Sequence, residues 1–165
     1  MSSAYPSQAD IFLSVQTKRA GKVKGEVVSP GHEDDIAVHG WSWGVSASSA
    51  IGSAQATGRR TYKGLTIVKH IDAATTALIA ALATNDEVKE AKLTMRKSGS
   101  EQIDYFLITL HKARITAVDH VTDAQGNTME TVTLQFQKVA VEYRPQKSAG
   151  GRGASMMFED EIMPA

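Results

Sequence analysis

Gly40-Trp41-Ser42-Trp43-Gly44 spells G-x-S-x-G, the pattern that sets a serine nucleophile on a strained strand-to-helix turn. Such a serine needs a helix N-terminus behind it and a histidine and an acid within reach. The residues that follow, 46–60 (SASSAIGSAQATGRR), are small, polar and Gly-containing, with no helical apolar stripe. The spacing therefore favours a strand whose tryptophans cover a core or an interface. A serine hydrolase using Ser42 is the alternative. His32-Glu33-Asp34-Asp35, with His39 nearby, gathers metal-ligand residue types. Consecutive residues do not converge on one ion, and the H-E-x-x-H spacing is missing. A solvated acidic loop is the expectation, with no metal and no cofactor. Arg59, Arg60 and Lys63 form a small basic cluster without interleaved aromatics. That is a poor nucleic-acid site; a solvated loop base is the default reading, and salt bridges to a neighbouring copy are the second. His70, His111 and His120 have no paired acid or nucleophile in sequence and read as structural or surface residues. Gly150, Gly151 and Gly153 lack the strand and helix that frame a phosphate loop and read as a linker.

Bulk properties narrow the classes further. The 165 residues carry 18 basic and 18 acidic side chains, for a formal net charge of +0. A general nucleic-acid binder needs a basic surplus. Near-zero charge also does little to hold copies apart. With no cysteine in the chain, disulfides, thiolate catalysis and cysteine-bound zinc are excluded. The start, MSSAYPSQADIF, lacks a basic segment followed by a long apolar one. No apolar run approaches the ~20 residues that cross a bilayer. The expectation is a chain made in the cytoplasm without a signal peptide and without membrane insertion.

The elements that must position these residues are mostly strands. Ile11, Leu13 and Val15 alternate over 9–15. Residues 16–34 are polar and Gly/Pro-containing, a loop. Ile36 and Val38 share one face of the next strand, and Trp41, Trp43 and Val45 continue on the other parity. A long loop covers 46–60, and 61–71 resume as a strand. One helix is predicted at 73–84, with Asp72 as N-cap and a stripe of Ala74, Leu78 and Leu82 beside Ile79. In 88–96, Ala91, Leu93 and Met95 point inward while Lys92, Thr94 and Arg96 point outward. Residues 102–118 contain YFLITL, apolar on both faces and so covered on both. Within 129–144, Val132, Leu134 and Phe136 are out of phase with Val139, Val141 and Tyr143, which predicts a bulge or bend near Gln137–Lys138. QKSAGGRG then reads as a linker, and ASMMFEDEI as a last strand or a segment that docks on a neighbour. The fold class is mainly β: a β-barrel of two packed antiparallel sheets with one short α-helix on its wall. It is one domain, 1–165, with a core of about 9–145 and a linker and terminal strand over 146–165.

In order and spacing these segments resemble the Hcp (haemolysin co-regulated protein) family. Ala9-Asp10-Ile11-Phe12-Leu13, Gly25-Glu26 through His32 to the stretch 36–44, Leu65 to Asp72 leading into the helix, Ala91-Lys92-Leu93 and Tyr105 to Leu110 carry the likeness. It spans about residues 9–145; the tail is richer in methionine and acid than the family pattern. The resemblance implies hexameric rings of β-barrels, stacked as the inner tube of a type VI secretion system. It implies sheath, spike and effector proteins as partners, export through that system, cargo in the lumen, and no catalytic residue. It also implies ring-to-ring contacts through the loop at about 45–61. The assembly contacts expected here are Ser46, Ala47, Ser48, Ser49, Ile51, Arg59, Arg60 and Lys63. A monomeric barrel binding a small ligand is a further alternative.

Overall fold

The alternating segments become strands because one face of each is apolar and finds a common core. The computed structural model describes residues 10–47, 59–97, 103–145 and 154–162. The strands are β1 (Asp10–Thr17), β2 (Gly21–Val23), β3 (Ile36–Ala37), β4 (Gly40–Ala47), β5 (Arg60–His70), β6 (Val88–Arg96), β7 (Asp104–Thr122), β8 (Thr128–Tyr143) and β9 (Met156–Glu161). The helix α1 (Thr75–Ala83) follows β5. The fold is mainly β with this short helix, as the sequence indicates.

The strands form one antiparallel sheet in the order β2-β1-β6-β7-β8-β5-β4. Two edges are shared. β2 and β3 both pair with β1, and β5 and β9 both pair with β8. The inner side chains, among them Leu13, Leu65, Ile67, Leu93, Ile108, Leu110, Val132 and Leu134, are fully or almost fully buried in one cluster. The sheet is thus curled around its own core. It is not two separate sheets, and its ladder does not close. Across the seam, Val38 N–H donates to Ile11 of β1 and His39 N–H donates to Val68 of β5. The β3–β4 segment therefore switches partners, which explains the parity change read between Val38 and Trp41.

The predicted bend in β8 is present and is wider than one strand. Core positions shift parity between Phe136 and Val139 in β8, between Leu110 and Ala113 in β7, and between Val88 and Ala91 in β6. Lys112 has φ +49°, a rare conformation for a side chain with Cβ. Lys89, Lys112 and Gln137 drop out of the ladders while the β7–β8 register continues unshifted on both sides of them. The register shift in that pair lies further on, between Ile115 and Ala117.

Three sequence expectations need correction. β2 lies inside the predicted loop; it pairs with β1 and buries Val23. The helix begins at Thr75 and its cap, Ala74, offers no side-chain bond. Asp72 acts just ahead of it, accepting from Ala74 N–H at 2.9 Å. The helix buries Thr75, Leu78 and Ala81, while Ile79 and Leu82 are exposed. Finally, Thr94 and Arg96 are buried. The segment between β2 and β3 lies over the outer face of the sheet there, with Arg96 donating to Pro30 O at 2.9 Å. Gly25 lets this segment fold tightly on itself, because a Cβ would lie 2.2 Å from Asp35 O.

Candidate assembly surface

β4 and β5 form a hairpin that pairs from Gly40–Val68 to Ala47–Arg60. Its inner half belongs to the barrel, with Leu65 opposite Leu134 and His70 opposite Met129. At Gly64 the hairpin leaves β8. A Cβ there would lie 2.7 Å from Gln135 Nε2 and 3.0 Å from Leu134 O. The β8 edge it vacates is taken by β9, paired from Lys138–Glu161 to Tyr143–Met156.

The two strands that share this edge are tied by one carboxylate. Arg60 pairs with Asp160 through both Nε and Nη2, the latter donating to Oδ1 at 2.9 Å. Tyr62 Oη donates to Asp160 Oδ2 at 2.7 Å. The Arg60 bond, followed by that of Tyr62, holds the Asp160 carboxyl below its ordinary range. Burial, then Asp160 itself, pushes the Tyr62 phenol up. Trp43 stacks on Tyr62 at 5.9 Å, and both lie against Phe136. The hairpin base is therefore rigid and aromatic.

Of the expected contact residues, Ser46 and Ala47 are the exposed end of β4, and Arg59 and Lys63 are exposed at the start of β5. Arg60 is engaged within its own chain rather than held open for a neighbour. Ser48, Ser49 and Ile51 lie outside the described residues, as does the 150–153 glycine segment. Asp160 and Tyr62 were not singled out from sequence; Arg60 and Asp160 are 100 residues apart, and no local pattern joins them. Large apolar side chains are exposed nearby: Val45, Tyr143, Met156, Met157 and Phe158. β9 is thus a strand on its own chain, with little of its apolar surface covered.

Ser42 sits in the extended run of β4, opposite Thr66. Strand residues flank it on both sides, so the strand-turn-helix of a nucleophile elbow does not exist here. The acidic run is solvated only in part: Glu33 and Asp34 are exposed, but the other two residues are not. His32 and Asp35 are buried, and His32 lies between two aspartates, with Nδ1 2.8 Å from Asp35 and Nε2 3.1 Å from Asp104. Its ring stacks on Phe12 at 4.2 Å. Lys22 and Arg96 pair with the same two aspartates at 2.9 Å. His32, Asp35, Asp104 and Lys22 line a polar groove of about 320 Å³ on the outer face. Among the described residues no group of three or more His, Asp or Glu is placed to hold a metal ion.

A second buried cluster stands where the helix begins. Lys69 and Glu130 have no exposure and bind each other. Lys69 Nζ also reaches Asp72 at 2.9 Å and Thr75 Oγ1 at 3.3 Å. His120, expected to lack an acid, meets Glu130 at 2.8 Å. Burial pushes the Glu130 carboxyl up, but hydrogen bonds from Lys69 and His120 outweigh it, and the group sits below its ordinary value. A signal for this pair existed. Lys69 continues the inward parity of Leu65 and Ile67, and Glu130 that of Val132 and Leu134.

The chain is thus an open-edged, curled antiparallel sheet with a braced hairpin, a mainly β single-sheet class of fold. The sequence matches the family described as type VI secretion system effector, Hcp, over residues 12–143, and the chain belongs to that family. It is 35% identical over 147 residues to Protein hcp1 of Pseudomonas aeruginosa, covering 87% of this chain and 88% of the relative. It is 26% identical over 135 residues to the Major exported protein of the same organism, covering 76% and 78%. In fold it is similar to an Hcp1 variant from an enteroaggregative E. coli, with a TM-score of 0.76 at 21% identity, covering 93% of this chain and 99% of that one. Among the described residues, no helix is long and apolar enough to cross a membrane.

Proposed function

We propose that this chain is a non-catalytic structural component of type VI secretion. Six copies close into a ring of barrels, and rings stack into the tube. The protein is exported along the same route and carries effectors in its lumen, with sheath and spike proteins as further partners. Nucleic acid, cofactors and membrane insertion have no part in it. The observation that carries this reading is the β4–β5 hairpin, which leaves the sheet at Gly64 and is braced by the molecule's own C-terminal strand. A hairpin held this way is a presented element, and residues 45–61 are the ring-to-ring contact. The exposed apolar residues of β8 and β9 support self-association, since a monomer gains nothing from leaving Met156, Met157 and Phe158 in water.

Native mass spectrometry tests the ring, with a six-subunit species as the expected result. A monomer at working concentration would contradict it. Deleting residues 47–57 should then leave rings intact and abolish tubes. Tubes formed as readily as by the parent would remove the stacking role.

A further inference from the structure

Charge is segregated along the chain in a way that the neutral total conceals. Residues 36–71 contain Arg59, Arg60, Lys63 and Lys69 and no Asp or Glu. Residues 115–137 contain Asp119, Asp123 and Glu130 and no Lys or Arg. The two stretches pair with each other through β5 and β8, but the fold puts their exposed charges at opposite ends of β5. β5 runs from Arg60, at the hairpin end, to His70, which pairs with Met129 beside the β7–β8 turn. Asp119 pairs with Thr131 near that turn. At ~3.3 Å per residue, about 30 Å of strand separates Arg59 from Asp119. That exceeds the screening length of ~10 Å, so the two ends do not neutralise each other within one molecule.

Each end is accessible. Lys69 and Glu130 cancel in the interior, and Arg60 is held by Asp160. Within these two stretches the charges left on the surface are Arg59 and Lys63 at one end and Asp119 and Asp123 at the other. Asp123 also accepts from Gln125 and Asn127 within its own turn. The acidic β9 residues beside the hairpin do not reverse this. Asp160 binds Arg60, Glu161 pairs with Lys112 at 3.4 Å, and Glu159 lies on the outward parity of β9, the opposite one to Asp160. The acidic end also exposes Val121, which pairs with Met129, and Ile71, which follows the other Met129 partner, His70.

We infer that the β7–β8 turn, with Asp119, Asp123, Ile71 and Val121, is the surface on which a second copy seats its hairpin base through Arg59 and Lys63. The contact joins unlike patches, so it repeats in one direction and gives the assembly a polarity. This rests on the ring-stacking reading and names the acceptor that reading lacks.

The experiment compares three full-length chains by sedimentation velocity at low ionic strength, with native mass spectrometry to check that each still makes rings. One carries R59E/K63E, one carries D119K/Q125K, and the third carries all four changes. Asp119 and Gln125 are exposed, and Gln125 takes part in the turn only through its backbone N–H. Each two-residue variant should keep its rings and associate ring-on-ring at least roughly tenfold more weakly than the parent, because like charges now face each other. Mixing the two variants, or combining the changes in one chain, should restore association. Parent association should also fall as salt rises. If the two-residue variants stack like the parent, or if neither mixture nor combination recovers, the inference is overturned while the ring reading stands. A parent that forms no rings overturns both.

Discussion

Two ionic clusters in this molecule use the same chemistry to opposite ends. Lys69 and Glu130 lie opposite each other in β5 and β8, without exposure, and bind Asp72, Thr75 and His120 around them. Arg60, Tyr62 and Asp160 lie at the hairpin base, with the Arg60 side chain half in solvent. The first cluster joins the start of the helix to the barrel wall, and its central ion pair has no surface to offer. The second sets the direction of a hairpin and contributes little to whether the chain folds. Burial, more than the number of bonds, separates a charge that fixes the fold from one that aims an exposed element.

The largest test of this contrast is Lys69→Ala. It leaves Glu130 buried without its cation and should cost about 3–5 kcal/mol in urea unfolding. The paired replacement K69M/E130M should recover most of that loss. A cost under about 1 kcal/mol for Lys69→Ala would erase the distinction. The same cluster sets an acid limit. Glu130 is depressed in the folded state, so its contribution is full above the ordinary carboxylate range and is lost as pH falls through the lowered folded value. Thermal unfolding followed from neutral pH downward should show stability falling below about pH 4, with a shallower fall in K69M/E130M.

His32→Ala tests a cluster of intermediate kind, almost buried but bordering the outer groove. It removes the Phe12 stack and two hydrogen bonds, and about 2–3 kcal/mol should be lost. Gly64→Ala comes next. Gln135 can swing aside but Leu134 O cannot, so about 1–3 kcal/mol of overpacking is expected. The smallest effect on folding belongs to Asp160→Asn. Its unfolding midpoint should match the parent, while hydrogen exchange at the amides of residues 60–63 accelerates and ring stacking weakens. A large fall in the midpoint would place this clamp with the buried pair.

What could be read from the chain follows the same division. β1, β4, β5, β6 and β8 were legible because their inward residues alternate, β7 because its run YFLITL is apolar on both faces, and the bend in β8 because its two halves do not share a phase. β2 was hidden because Gly21-Lys22-Val23 offers a single apolar residue. The covered positions of Thr94 and Arg96 were hidden because a distant segment crosses them, which alternation cannot report. The buried face of the helix was hidden because Ile79 and Leu82 look like core to a periodicity argument, although they are exposed. The hairpin was legible as a long small-residue gap between strands. The residue that braces it was not, because Asp160 belongs to a tail set off by a Gly-rich stretch.

The bend at Lys89, Lys112 and Gln137 bears on how this sequence tolerates change in length. Elsewhere in a half-buried strand, adding or removing one residue turns every following side chain from the core to solvent. At these positions three neighbouring strands already carry one residue out of step. A single-residue length change is absorbed more readily there than elsewhere in β6, β7 or β8. That is where alignments of related chains should place their gaps, and where a designer has room to add a residue.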